Sequence, residues 1–246
     1  MRTGVWLAVR AWSAWAPQRE TPAAWRAWAK ATDVGTGEAS AGPIAVPMML
    51  RRRSTALGQK MIASALACGE TALTGRYVLA SRHGEFSRGL SILRSLVAHE
   101  LPSPAEFSMS VHNGLVGLLS IHLGNTRGHT ALAAGLDTFG FGLVEAAAYI
   151  VEQPSEPVLL FFGDEPLPGE YEAFGEDDVD LPLVVALALR APVAGDDGIF
   201  FDAVPRRSGA RPTTAAPLDF LRFLLSGAQS TVSEGARMTW RWRRAT

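Results

Sequence analysis

Cysteine is nearly absent: Cys68 is the only one in 246 residues. A lone thiol excludes an internal disulfide framework and a multi-cysteine metal site, and it fits a reducing compartment, so a cytoplasmic protein is expected. Neither sign of charge prevails, with 23 Lys and Arg against 24 Asp and Glu and a formal net charge of -1. No chain-wide field exists to recruit nucleic acid or anionic lipid, and any basic patch must be local. Long apolar runs are also missing. MRTGVWLAVRAWSAWAP (1–17) is interrupted by Arg10 before a signal-peptide h-region can form, and LPLVVALAL (181–189) is far too short to cross a bilayer. What remains, 48% hydrophobic and 19% charged residues, is enough apolar material for a substantial core.

Two periods alternate along the chain. Val5, Leu7 and Val9 repeat every second residue as a strand does, and Thr21-Pro22 then supplies the N-cap and first-turn proline of a helix carrying Trp25 and Trp28. After a glycine-rich connection at 33–43, Ser54 is the expected N-cap of a helix with Leu57, Met61, Ala65 and Cys68 on one face. On that face Cys68 reads as a small buried hydrophobe and not as a reactive thiolate. Residues 77–80 form the next strand, and Leu90, Leu93, Leu96 and Val97 are the expected inner face of the helix after it. Ser103-Pro104 starts a long helix to Leu123, and residues 129–135 make a short strand of small side chains. Residues 138–151 make a helix with Phe139, Leu143, Ala146 and Ile150 inward. PVLLFFGDE (157–165) has the continuous apolar run of a strand buried on both faces, with Asp164-Glu165 placed to hold a loop. The order is α/β.

The tail departs from this pattern. An acidic, turn-rich loop at 168–180 leads into LPLVVALALRA and GIFFDAV as strands, PLDFLRFLLSG as a helix and RMTWRWRR as a closing strand. There Met238, Trp240 and Trp242 alternate with Arg237, Arg241 and Arg243, either as an edge strand protected by charge or as a small basic patch for an acidic partner.

Arg82-His83-Gly84-Glu85 matches the phosphate-grasping quartet of a histidine phosphatase, in which a neutral imidazole accepts the phosphoryl group beside an arginine fork. Such an enzyme carries this motif on its first strand and needs a second histidine, usually followed by glycine. None of His99, His112, His122 and His129 has that context. A hydrolase using Ser, His and an acid fares no better: no Gly-x-Ser-x-Gly elbow occurs, and Ser81 and His83 are too close in sequence to pair readily. His83 stays a remote catalytic alternative.

The stretch from SPAEFSMSVHNGLVGLLSIHLG through HTALAAGLDTFGFGLVEAAAYIV to PVLLFFGDE resembles the central part of β-ketoacyl synthases of the thiolase fold. Upstream, LRRRSTALGQKM and SRHGEFSRGLSILRSL are similar to short ketosynthase-like proteins of aryl-polyene and related fatty-acid-type pathways. The resemblance covers about residues 1–165 and leaves 166–246 divergent. It implies one truncated ketosynthase-like domain: a mixed sheet with covering helices, corresponding to the N-terminal half of a full synthase.

The resemblance also implies a deficit. The nucleophilic cysteine of an active synthase belongs at the elbow before the Ala-rich helix, where this chain has Leu136 or Asp137. The catalytic histidine pair belongs to a second half that this sequence lacks. A pseudo-ketosynthase of the chain-length-factor type follows, with no cofactor and no metal, whose partner is an active β-ketoacyl synthase. By the same resemblance His129, Thr130, Ala131 and Leu132 form the interface strand, and Phe107, Met109, His112, Asn113, Thr138 and Phe139 lie near the tunnel or interface. Taken singly, Phe107 and Phe139 read as ordinary core residues. His112 reads as a hydrogen-bonded core or interface residue, and Asp137-Thr138 as a helix cap. An acyl carrier protein is a further expected partner, met by Arg51, Arg52 and Arg53 or by the closing strand. A carrier-binding scaffold without any ketosynthase is the other alternative.

Overall fold

The computed structural model describes residues 4–31, 44–174, 182–207 and 215–245. The glycine-rich connection expected at 33–43, and residues 175–180 of the acidic loop, lie outside them. The chain runs β1 (Val5–Trp15), α1 (Pro22–Lys30), α2 (Met48–Arg51), α3 (Ala56–Leu66), α4 (Glu70–Thr74), β2 (Arg76–Ala80), α5 (Phe86–Val97), α6 (Pro104–Met109) and α7 (Gly114–Leu123). It continues with β3 (His129–Leu132), α8 (Thr138–Glu152), β4 (Val158–Asp164), a 3-10 turn (Gly169–Phe174), β5 (Leu183–Arg190), β6 (Gly198–Pro205), α9 (Ala216–Ser226), β7 (Ser230–Glu234) and β8 (Met238–Arg244).

All eight strands form one mixed sheet in the order β3-β2-β4-β5-β1-β6-β8-β7. β2 runs parallel to β3 and β4, and every other pairing is antiparallel. β4 and β5 are central and apolar up to their last residues, Asp164 and Arg190, because helices cover both of their faces. On one side α3 and α7 pack Leu57, Met61, Ile62, Leu115 and Leu119 against Tyr77, Leu79, Phe161 and Val184. On the other, α8 and α9 pack Phe139, Leu143, Ile150, Phe220 and Phe223 against Val78, Leu160, Val185, Phe201 and Trp242. Each such side chain taken fully from water contributes about 1.5–3 kcal/mol before entropy is counted.

Several local expectations change in three dimensions. Thr55, not Ser54, caps α3: its Oγ1 accepts from Gly58 N at 3.1 Å, while the Ser54 hydroxyl donates to the Leu50 carbonyl. The single helix expected from 103 to 123 is two, α6 and α7, broken at Ser110–Asn113. The small-residue strand ends at Leu132. A strand that the sequence pattern did not suggest, β7, covers the outer edge of β8, so the Trp-Arg strand is not the sheet edge; Trp240 and Trp242 are wholly buried. Cys68 is buried, and desolvation pushes its thiol up to about 12, which leaves it inert near neutral pH.

The largest change concerns α5. Only Leu90 is buried; Leu93 and Leu96 are each 51% exposed and Val97 81%. The helix packs on α6, and its Phe86 and Arg94 reach Tyr171 and Glu170 of the 3-10 turn, so its apolar stripe points away from the sheet.

Candidate functional site

Parallel strands in open α/β sheets place functional groups at their carboxyl ends. Here β2, β3 and β4 deliver Ser81 to Glu85, Ala133 to Asp137, and Asp164-Glu165 to one end of the sheet. Asp164, buried at the end of β4, accepts from Arg82 N at 2.8 Å and from Ser81 Oγ at 3.1 Å, and its Oδ2 lies 3.5 Å from Arg82 Nε. Burial raises its carboxyl to about 6, opposed by the Arg82 charge. Asp164 therefore holds the loop after β2, with the buried Arg82 guanidinium set against it.

His112 reaches the same loop from the α6–α7 break, its Nε2 2.8 Å from the Ser81 carbonyl oxygen. It is a hydrogen-bonded positioning residue for the turn. Gly84, with φ +56, leaves the room His112 needs, since a Cβ there would stand 2.9 Å from its ring. His83 lies edge-on to Phe86 at 6.2 Å between centroids.

Glu85 carries the network outward. Thr55 Oγ1 donates to its Oε1 at 3.2 Å, and its Oε2 lies 3.6 Å from Arg88 Nε. Arg88 then donates to Glu106 at 2.8 Å and to the Arg53 carbonyl at 2.9 Å, tying α5 to α6 and to the lead into α3. Burial raises the Glu85 carboxyl, and it raises Glu165 too, with Glu85 and Asp164 adding like-charge repulsion. Of this network, sequence reasoning singled out Asp164 as a loop holder and His112 as a hydrogen-bonded residue; the i,i+3 spacing of Glu85 and Arg88 was the one signal that would have found another contact.

The turn from β3 into α8 is where a nucleophile would be presented. Its positive φ, +61, falls on Gly135, one residue before the Leu136 and Asp137 expected from the resemblance. None of the three is a thiol. Asp137 stands at the N-cap position of α8 but makes no side-chain cap bond. Its wholly buried carboxylate instead accepts from Arg237 N at 2.8 Å and Trp240 Nε1 at 3.1 Å, locking β8 to the turn. Nor does Thr138 cap it: its Oγ1 accepts from Ala134 N at 2.9 Å and donates to the Gly135 carbonyl at 2.6 Å, which closes the turn ahead of the helix. Phe139 is core, packed against Phe162 and Phe220. Beside it the Trp240 indole lies against Gly140, where any Cβ would overlap the ring.

The remaining expected residues lie apart from this buried cluster. Phe107 is 64% exposed on α6, Asn113 is exposed at the helix break, and Met109 packs against the α3–α7 core. His129, Thr130, Ala131 and Leu132 form the edge strand β3, half-buried throughout, with Thr130 Oγ1 donating to Glu145 at 2.9 Å. Arg51, Arg52 and Arg53 are exposed. Among the described residues no cluster of three or more His, Cys, Asp or Glu could hold a metal ion, and no helix is long and apolar enough to cross a membrane.

With this geometry in hand, the family model described as "Beta-ketoacyl synthase, N-terminal domain" matches residues 25–243. The chain belongs to that family. A search of curated proteins gave no match. Among solved structures, this ketosynthase-like chain is similar to a chain of the ketosynthase ApeO in complex with its chain length factor ApeC from Xenorhabdus doucetiae, with 29% identity, a TM-score of 0.81 and coverage of 97% of this chain and 99% of that one. The ishigamide ketosynthase/chain length factor matches at 14% identity and TM-score 0.62, over 81% of this chain and 67% of that one. AntDE:AntF, a type II polyketide acyl carrier protein in complex with its ketosynthase, matches at 12% and 0.64, over 82% and 69%. At those identities the last two speak to the fold alone, and that fold is the thiolase-like mixed α/β expected from the sequence.

Proposed function

We propose that this protein is a non-catalytic chain-length factor: a cytoplasmic, single-domain subunit that pairs with an active β-ketoacyl synthase and helps wall the tunnel in which a polyene or fatty-acid-type chain grows on a carrier protein. The carrying observation is the exposed apolar surface of α5 and α6, formed by Leu93, Leu96, Val97, Leu101 and Phe107. A face of this kind on two helices that pack together is costly to leave in water and marks a lasting partner. Two features support the same reading. The open edge of β3 offers unpaired backbone groups for strand pairing, and the β3–α8 turn has no thiol to carry an acyl group. The occupant favoured is a ketosynthase because the similar structure that spans nearly all of this chain is of a ketosynthase with its chain length factor.

The test is co-expression with the ketosynthase encoded beside this chain, purification through a tag on this chain, and mass measurement of the eluted complex. A one-to-one complex is expected. A lone monomer, or a homodimer that excludes the synthase, would overturn the reading.

A further inference from the structure

A second surface differs in chemistry. On the side of the sheet opposite α3 and α7, helices α1 and α9 pack on each other and present Arg26, Lys30 and Arg222, with Arg19 beside them in the connection before α1. Among the described residues none of these four has a carboxylate within ion-pair distance. The acids nearby have other partners: Glu20 pairs with Lys60, Asp197 with Arg244, and Asp219 of α9 accepts from Ser233 Oγ at 2.6 Å. In a chain of net charge -1, four such cations on and beside one helix pair are a local concentration of positive charge.

Three of these cations rest on indole rings. The Arg19 guanidinium lies 5.3 Å from the Trp25 ring centre and 5.2 Å from that of Trp28, Arg222 lies 4.7 Å from the Trp28 ring centre, and Arg26 lies 5.6 Å from that of Trp12. The platform is fixed in turn, because Trp25 Nε1 donates to the Ala14 carbonyl of β1 at 2.9 Å and the Trp25 and Trp28 rings meet edge to face. A guanidinium held on a ring keeps its N–H donors for a carboxylate, and fixing it beforehand lowers the ordering cost of binding. Between residues 19 and 31, and between 215 and 228, no large hydrophobic side chain is exposed, so the face has nothing to insert into a bilayer and little to hold a permanent partner.

We propose that the α1–α9 face docks the acidic surface of an acyl carrier protein through Arg19, Arg26, Lys30 and Arg222, at a site separate from Arg51, Arg52 and Arg53. This rests on the reading of the protein as a subunit of a carrier-dependent synthase. A cationic face without apolar anchors suits a partner that must arrive, deliver and leave.

The experiment titrates a labelled holo acyl carrier protein of type II fatty-acid synthesis into the full-length chain co-purified with its ketosynthase. It compares the unmodified complex, R26E/R222E and R51E/R52E, and vesicles containing anionic phosphatidylglycerol serve as the competing ligand. The expected result is binding that weakens steadily as salt is raised, a loss of about tenfold in R26E/R222E, and an intermediate loss in R26Q/R222Q with unchanged thermal unfolding. Undiminished binding in R26E/R222E alongside a loss in R51E/R52E overturns the proposal and leaves the carrier-dependent reading intact. Absence of carrier binding by the unmodified complex, or binding to the vesicles alone, overturns both.

Discussion

Two surfaces of this molecule leave opposite things in water. Helices α5 and α6 expose leucine, valine and phenylalanine, whereas α1 and α9 bury their apolar faces and expose arginine and lysine. The difference follows from what lies beneath each pair. α1 and α9 pack against the sheet layer through Trp25, Ala29, Phe220 and Phe223, so hydrophobic side chains have somewhere to go. α5 sits over the loop ends at the carboxyl side of β2 and β4, and Leu90 is its one buried residue. Its remaining stripe, Leu93, Leu96 and Val97, stays exposed. The lesson is that an amphipathic pattern identifies an apolar face without saying whether the cover comes from the same chain.

The largest expected effect sharpens that contrast. Replacing Leu93 and Val97 together by Asp should weaken the complex with the ketosynthase by about 100-fold or more, since a charge would be buried in an apolar interface, while the free chain keeps its unfolding temperature. Retention of the synthase at undiminished yield by that variant would break the comparison. Next comes Trp28→Ala, which removes the platform under Arg19 and Arg222; equilibrium urea unfolding should show a loss of about 2 kcal/mol, less than the ~3–5 kcal/mol of a fully buried Trp because this ring is only half-buried.

A smaller effect concerns the network under α5. The carboxyl of Asp164 is raised in the folded state to about 6 against an ordinary 3.8. The folded form therefore binds the proton more tightly than the unfolded one across that window, and stability contributed by this group is lost as pH rises from about 4 to about 6. Asp164→Asn keeps an acceptor for Arg82 N and should flatten that fall by about 1 kcal/mol, read by denaturant titrations at pH 4.5 and 7. An unchanged slope would place the titration elsewhere. Smallest of all, Leu93→Ala in the free chain should cost less than about 0.5 kcal/mol, whereas Leu90→Ala three residues earlier on the same helix should cost about 2 kcal/mol or more.

Much of the fold was legible because its signals are local. The continuous apolar runs of β4 and β5 announced strands covered on both faces, Thr21-Pro22 marked the start of α1, and the small-residue segment around 129–132 marked β3. β7 escaped because Ser230–Glu234 has little apolar alternation of its own; it becomes a strand by pairing with β8, whose tryptophans supply the core contact. The acidic groups at the candidate site divided in the same way. Asp164 was readable as a loop holder because it ends a buried strand, whereas Asp137 looked like a cap and instead anchors Trp240 and Arg237 from a hundred residues away in sequence.

The sequence by itself determined the α/β order, the buried character of Cys68, the missing thiol at the β3–α8 turn and the kinship with ketosynthases, since each depends on residue type, spacing or short-range periodicity. Tertiary structure alone decided which amphipathic faces find cover within the chain, which carboxylates are buried against arginine, and which arginines come to rest on tryptophan. Those outcomes depend on contacts between segments far apart in sequence, whose distances are set only when the eight strands have closed into one sheet.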